Sequence, residues 1–184
     1  LTHIGTHVDA PRHFRADGWF LHEIPPDRWL GEGPVIGIPK GPFEDITAAD
    51  LEATGVEIRH GDLVALNTGW HHNYVGPGVD PEGARFYMEN GPGLGAESAQ
   101  WLADRGILTV MTDSPAIDSA AHMPYGDGTM QSHTVLFRHN IPAVEGLAGE
   151  LDLVTGKRCL FTCAPVKYFN GDAFPLRVLA IPLD

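Results

Sequence analysis

The stretch GAESAQWLADRGILTVM, residues 95–111, decides the fold class because it joins a helix pattern to a strand pattern. Its first part carries apolar side chains at the spacing of one helix face, which predicts a helix over residues 95–105 with Gly106 as its C-cap. The run ILTVM that follows, residues 107–111, is continuously apolar, as is typical of a strand buried on both faces. The stretch therefore predicts a helix that leads directly into a central strand.

Outward from this unit, further short elements are predicted. Thr47 is a plausible N-cap for a helix that runs to Ala53 and is ended by Gly55. The 22 glycines and 15 prolines are scattered, which indicates many short elements joined by turns within one domain over residues 1–184. Strands outnumber helices, so the expected fold class is mixed α/β. The other predicted strands are residues 34–38, 62–66, 133–137, 159–163 and 178–181.

Composition and charge restrict the function. The 184 residues carry a formal net charge of −12, whereas a protein that binds nucleic acid normally gathers Lys and Arg. No apolar run approaches the ~20 residues of a membrane span. The two cysteines, Cys159 and Cys163, are too few for a disulfide framework and are interpreted as reduced, buried thiols. We expect a cytoplasmic protein that acts on a small molecule and contacts neither nucleic acid nor a membrane.

Chemistry is concentrated at the start of the chain, in the pattern H-x3-H-x-D-x3-H formed by His3, His7, Asp9 and His13. His7 and Asp9 are two residues apart, so both project from the same face of an extended segment. Pro11 argues against a helix through the motif. Imidazole nitrogens with a carboxylate oxygen suit Zn²⁺, and also Mn²⁺ or Fe²⁺. Three protein ligands with an open position are typical of a catalytic site, where the metal lowers the pKa of a water and His13 could move protons.

Other histidines and aromatic residues allow two interpretations. Six histidines are interpreted as ordinary surface or core residues: His22, His60, His71, His72, His122 and His139. Trp19, Phe20 and Trp70 are candidates for stacking against an aromatic substrate, with core packing as the alternative. Trp29 and Trp101 are predicted to lie in the core.

The motif HIGTHVDAPRHF, residues 3–14, closely resembles the signature of the metal-dependent cyclase family, which includes bacterial arylformamidase and isatin hydrolase. Weaker similarities extend along the rest of the chain. They lie at residues 61–70, at residues 112–118, at His133 and Glu145, at residues 164–167, and at residues 171–172 and 175–177.

The resemblance implies a swivelling β/β/α fold with mixed sheets and few helices, and a homodimer or homotetramer. It also implies one or two divalent ions, Zn²⁺ or Mn²⁺, held by His3, His7, Asp9, His133 and Glu145. Asp9 would bridge the two ions, and His13 would be the catalytic general acid and base. Since only Leu1 and Thr2 precede the motif, we expect that the N-terminal segment usual in the family is missing or was removed.

His133 and Glu145, called the distal pair below, have some support as site residues from the sequence alone. Glu145 lies in the apolar run IPAVEGLA, residues 141–148, where a carboxylate is costly to bury unless it is paired or bound to metal. The alternative is a surface residue at a strand edge. His133 would begin a strand, so its side chain could face either way.

These observations predict a metal-dependent hydrolase that cleaves a C–N bond of an aryl formamide or a cyclic amide, by isatin-type ring opening or N-formylkynurenine-type deformylation. Hydrolysis of a lactone C–O bond is chemically close and stays an alternative. A non-catalytic metal-binding protein with the same fold is a second alternative. A purely structural metal site is a third, although such sites are normally closed and often rich in thiolates.

Overall fold

The computed structural model describes residues 2–76, 78–124 and 126–183. Within them the chain forms strands and short helices in alternation. The strands are β1 His7–Asp9, β2 Leu30–Gly37, β3 Asp45–Ile46, β4 Leu63–Asn67, β5 Gly93–Leu94, β6 Thr109–Thr112, β7 Ala143–Glu145, β8 Arg158–Thr162, β9 Ala173–Pro175 and β10 Leu179–Pro182. The α-helices are α1 Ala48–Ala53, α2 Pro81–Glu89, α3 Ala96–Asp104, α4 Gln131–Arg138 and α5 Leu151–Val154.

Eight of the strands form one large mixed sheet in the order β10-β8-β2-β4-β6-β7-β1-β9. The four central strands, β2, β4, β6 and β7, are parallel, and the strands on both sides pair antiparallel. A separate parallel pair joins β3 to β5. The mixed α/β class with few helices is therefore confirmed.

The central strands are buried on both faces. In β4, Val64 and Leu66 point into the core that also contains Leu102 of α3, whereas Leu63 and Ala65 point into the core on the opposite face. Alternate side chains of a strand face opposite sides of the sheet, so both faces must be apolar. This is why the central strands have the continuous apolar runs that the sequence shows.

Both predicted helices are confirmed. The Thr47 side chain accepts a hydrogen bond from the Asp50 backbone, and the Asp50 carboxylate accepts one from the Thr47 backbone, so that a capping box starts α1. Gly106 follows the end of α3 with φ +70°, a left-handed conformation that glycine adopts at no steric cost.

The strand predicted over residues 133–137 is wrong, because this segment is the helix α4. Positions 133 and 137 lie four apart, so a strand and a helix would bury the same pair of side chains over so short a run. The helical conformation is stabilised by Asp118, which is distant in sequence. Its carboxylate accepts hydrogen bonds from the backbone N–H groups of Ser132 and His133 at 2.7 and 3.1 Å. A carboxylate in this position satisfies the first amides of a helix.

Cys159 and Cys163 are free and buried, as predicted. Among the described residues, none of the helices has the length and apolarity needed to cross a bilayer.

Candidate metal centre and active site

Strand β1 carries the central part of the motif and lies between β7 and β9, antiparallel to both. His7 and Asp9 project from the same face, as their spacing predicts. The register places His7 directly opposite Glu145 of β7, and His7 Nε2 lies 3.5 Å from Glu145 Oε2. The sheet therefore joins the motif to a residue near the other end of the chain.

The turn before β1 brings His3 back to the same site. Gly5 has φ +60°, the left-handed conformation that allows the chain to turn between the two histidines. His7 Nδ1 donates to the Gly5 carbonyl at 2.8 Å, so Nε2 is the nitrogen that faces the site. His3 Nδ1 lies 2.9 Å from Asp9 Oδ1.

The distal pair completes the cluster from the other side. His133 lies in the first turn of α4, and its Nε2 is 3.1 Å from Glu145 Oε1 and 3.7 Å from Asp9 Oδ2. The Glu145 side chain is only 5% exposed, so it is not the surface residue that the sequence left as an alternative. Its Oε1 also accepts the backbone N–H of Ile117 at 2.8 Å, which fixes the carboxylate.

Asp118 was not singled out from the sequence, although it belongs to the site. Its Oδ2 accepts Nδ1–H of His133 at 2.5 Å, so His133 presents Nε2 to Glu145 and Asp9. A carboxylate behind an imidazole is a common arrangement around metal-binding histidines because it fixes the ring and its tautomer. The segment 112–118 was noted for its similarity to the family, but sequence spacing alone could not show that Asp118 reaches α4.

His13 lies at the rim of the site, at the end of the 3₁₀ turn Pro11–His13. Its Nδ1 donates to Asp172 Oδ2 at 3.0 Å, and its Nε2 points inward, 3.9 Å from Asp9 Oδ2. About 31% of the side chain is exposed. His13 therefore lies between solvent and the buried carboxylate, as does His3, whose side chain is 30% exposed. Asp172 lies in a segment noted for its similarity to the family, and no role was predicted for it from the sequence.

The electrostatics of the cluster favour a cation. Burial would raise the pKa of Asp9, but the neighbouring imidazoles of His133, His3 and His7 outweigh burial and hold that pKa well below its ordinary value. Burial likewise lowers the pKa of His7, yet the hydrogen bond to Asp9 and the charge of Glu145 raise it to about 9. The carboxylates of Asp9 and Glu145 thus draw positive charge onto the surrounding imidazoles.

The donor set fits a divalent cation. Asp9 Oδ1 is buried and accepts no well-directed hydrogen bond from any residue that the structure describes, and such an oxygen is costly to leave unpaired. Asp9 takes part in two groups of residues whose donor atoms lie within 4.8 Å of one another. One group is His3, Asp9 and His13, and the other is His7, Asp9 and Glu145. Asp9 belongs to both groups. The first group contains His13, which the sequence analysis assigned to proton transfer.

The predicted aromatic residues differ in their burial and in their contacts. Trp19 and Phe20 are half-buried, and the Arg12 guanidinium lies 4.4 Å from the centre of the Phe20 ring. Trp70 is 3% exposed, and its Nε1 donates to the Tyr87 carbonyl at 3.0 Å, which ties it to α2. Their contacts do not test substrate binding, which stays a prediction.

Phe14 is an aromatic residue of the site that was not assigned a role from the sequence. Its ring stacks on the His133 imidazole, with centroids 4.7 Å apart and planes 10° apart. Trp29 is buried as predicted. Trp101 is only half-buried: it packs against the core while its Nε1 donates to Glu52 Oε1 at 2.8 Å.

Comparison with known sequences gives a consistent result. The profile of the cyclase family matches residues 1–119. A kynurenine formamidase from Erythrobacter litoralis is 30% identical over 176 residues, which cover 94% of this chain and 69% of the relative. A kynurenine formamidase from Bacillus cereus is 27% identical over 181 residues, which cover 98% of this chain and 77% of the relative.

Solved structures show the same relationship. An isatin hydrolase bound to the product analogue thioisatinate superposes with a TM-score of 0.81 at 25% identity, over 98% of this chain and 72% of that one. Isatin hydrolase A from Labrenzia aggregata gives a TM-score of 0.79 at 26% identity, over 99% of this chain and 74% of that one. A protein described as a potential metal-dependent hydrolase with cyclase activity gives a TM-score of 0.77 at 27% identity, over 98% of this chain and 79% of that one.

Proposed function

Because the chain belongs to the cyclase family, we propose that it is a metal-dependent hydrolase that cleaves a C–N bond other than a peptide bond. The substrate class is an aryl formamide or an isatin-type cyclic amide, in line with the names of its similar relatives. The observation that carries the proposal is the convergence of the motif on the distal pair, with Asp9 at the centre.

In this proposal, one or two divalent ions, Zn²⁺ or Mn²⁺, are held by His3, His7, Asp9, His133 and Glu145. Such an ion, when bound, supplies Lewis acidity, which lowers the pKa of a water and polarises a carbonyl oxygen. Two observations support this ligand set. Donor atoms of His3, His7 and Glu145 lie within 4.8 Å of a carboxylate oxygen of Asp9. His133 Nε2 lies 3.1 Å from Glu145 Oε1 and 3.7 Å from Asp9 Oδ2.

His13 would move the protons of the reaction. Because Nδ1–H is committed to Asp172, Nε2 is free to accept a proton from the water as its oxygen attacks the carbonyl carbon. The same Nε2 would then deliver that proton to the leaving nitrogen as the C–N bond breaks. The products are formate and an aryl amine from a formamide, or a ring-opened amino acid carboxylate from a cyclic amide.

Two further residues would hold the cluster in place. Asp118 fixes the His133 ring and the start of α4, and the Ile117 amide fixes the Glu145 carboxylate. Their hydrogen bonds keep the donor atoms in one arrangement before the substrate arrives.

An aromatic substrate would lie against apolar rings near the motif. Trp19 and Phe20 follow the motif within a few residues and are half-buried, which supports a role in substrate binding. Trp70 is retained as a third candidate, although its observed contacts are with α2. Ring stacking of this kind would favour aryl over alkyl substrates.

We propose that the active protein is a homodimer or homotetramer in the cytoplasm, acting on a small molecule. The buried free thiols are consistent with a reducing compartment. The oligomer is supported by the family resemblance.

The test is metal analysis of the purified protein by elemental mass spectrometry, together with hydrolysis assays on N-formylkynurenine and isatin. One or two equivalents of Zn²⁺ or Mn²⁺ with turnover of either compound would establish the activity. Metal with turnover of a lactone alone would replace the C–N substrate with a C–O substrate. Absence of metal after reconstitution, together with absence of turnover, would favour a non-catalytic protein.

A further inference from the structure

A second cluster of donor side chains lies apart from the Asp9-centred site. His71 and His72 belong to the 3₁₀ turn Trp70–Asn73, which follows β4, and Asp152 belongs to α5. From the sequence alone, both histidines are interpreted as ordinary surface or core residues. The structure instead brings their donor atoms and a carboxylate oxygen of Asp152 within 4.8 Å of one another.

The spacing of the donor atoms suits a small divalent cation. Asp152 Oδ2 lies 3.5 Å from His71 Nε2 and 3.1 Å from His72 Nε2. Ligands about 2.0–2.1 Å from a tetrahedral Zn²⁺ are roughly 3.3 Å from one another. Both measured distances lie close to that value, on either side of it.

The buried carboxylate of Asp113 fixes the tautomer of His71. Its Nδ1 donates to Asp113 Oδ2 at 2.9 Å, and Asp113 is fully buried. The other oxygen of Asp113 accepts hydrogen bonds from the backbone and hydroxyl of Thr68, at 2.9 and 2.6 Å. With the proton on Nδ1, Nε2 carries the lone pair, as in histidines whose outer nitrogen binds a metal. Asp118 holds His133 in the same way at the first site.

An independent observation points to a ligand at His71 Nε2. The His71 side chain is only 6% exposed, and Nε2 has no hydrogen-bond partner within the described part of the chain. A buried nitrogen lone pair that faces a carboxylate oxygen is unfavourable unless a cation or a proton lies between the two.

The Asp152 carboxylate is also held in position by a hydrogen bond. Asn67, the last residue of β4, donates from Nδ2 to Asp152 Oδ1 at 2.8 Å and to the Thr155 hydroxyl at 2.7 Å. This hydrogen bond occupies Oδ1 and leaves Oδ2 facing the two histidines.

We propose that His71, His72 and Asp152 form a second metal site, which binds a divalent cation of the Zn²⁺ class and ties the turn Trp70–Asn73 to α5. Two imidazole nitrogens and one carboxylate oxygen are a ligand set for Zn²⁺, and water completes the coordination on the exposed side. The site shares none of its three ligands with the Asp9-centred site.

The test is a titration with zinc chloride, followed by isothermal calorimetry and by elemental analysis after dialysis. The double variant H72A/D152N is compared with the wild type, since both side chains are more than half exposed and their loss leaves the core intact. The exposed histidine variant H139A is the matched control. The single variant H72Q is titrated as well, in case the double variant does not fold by circular dichroism.

The proposal expects the wild type and H139A to bind one zinc equivalent more than H72A/D152N. In H72Q, that equivalent should bind at least about 100-fold more weakly, since losing a ligand costs more than the roughly 10–100-fold effect of losing an outer hydrogen-bond partner. Equal stoichiometry and affinity in all four proteins would overturn the site. Because the variants leave the Asp9-centred site intact, this result is independent of metal binding there.

Discussion

At the residue scale, the histidines of the site have different surroundings. His7 and His133 are buried beside carboxylates, whereas His13 is partly exposed and hydrogen-bonded to Asp172. The sequence identifies His7 and His13 by residue type and spacing, and His133 only through the resemblance to the family. It could not identify Asp118 or Asp172, because these residues reach the site only through the fold.

Replacing His13 by alanine separates proton transfer from metal binding. We expect H13A to keep its metal and to lose about 10²–10⁴-fold in kcat, the usual range for losing a general acid and base. Elemental analysis and steady-state kinetics measure the two properties, with H139A as a control that should match the wild type. Turnover of H13A at the wild-type rate would refute proton transfer, and loss of metal would make His13 a ligand beside His3 and Asp9.

Replacing Asp9 by alanine tests the centre of the cluster. Asp9 is the carboxylate common to both donor groups, so D9A should lose metal from the whole centre and have no measurable turnover. The exposed aspartate variant D27A serves as the control. Full metal occupancy of this centre in D9A would show that Asp9 is not a central ligand.

At the element scale, local signals predicted the elements that are stabilised locally. Thr47 and Asp50 form their own capping box, and Gly106 ends α3 without help from distant residues. Helix α4 depends on the distant carboxylate of Asp118, and a five-residue pattern could not distinguish it from a strand. The three-residue strand β1 likewise exists because β7 and β9 pair with both of its edges.

A pH-dependent contact joins the turn Ala120–His122 to strand β3. His122 Nε2 lies 3.1 Å from Asp45 Oδ2, and its Nδ1 lies 3.0 Å from Asp127 Oδ2. Burial lowers the pKa of His122, but the two carboxylates outweigh it and raise that pKa above the ordinary value. The contact therefore stabilises the fold fully below the unfolded pKa of about 6.5, and its contribution is lost as pH rises through the folded pKa.

Chemical denaturation of H122A and wild type at a series of pH values measures this contribution. The difference in free energy of unfolding should be largest in mild acid and should shrink as pH rises through the raised pKa. The H139A variant should show no such trend. A difference that grows with pH would contradict a charged His122 in the folded protein.

At the scale of the whole molecule, the central sheet requires very close approach of its strands. A Cβ at Gly33 of β2 would overlap the backbone carbonyl of Leu63, so the substitution G33A would push β2 away from β4. We expect G33A to aggregate or to unfold, as judged by circular dichroism and size-exclusion chromatography. The control G41A should fold, since the nearest atom to its Cβ is the flexible Glu44 carboxylate at 3.4 Å. A stable, monodisperse G33A would mean that the strands can separate without loss of the sheet.

The position of β1 has a consequence for how the protein is made. The Thr6 hydroxyl donates to the Gly146 carbonyl, 140 residues later, and β9 covers the other edge of β1 only with residues Ala173–Pro175. During synthesis the histidine motif therefore leaves the ribosome before these partners and stays unpaired until they have been translated. Because a nascent chain cannot assemble the proposed centre before Glu145 has emerged, capture of a metal ion by all of the proposed ligands would be a late step of folding.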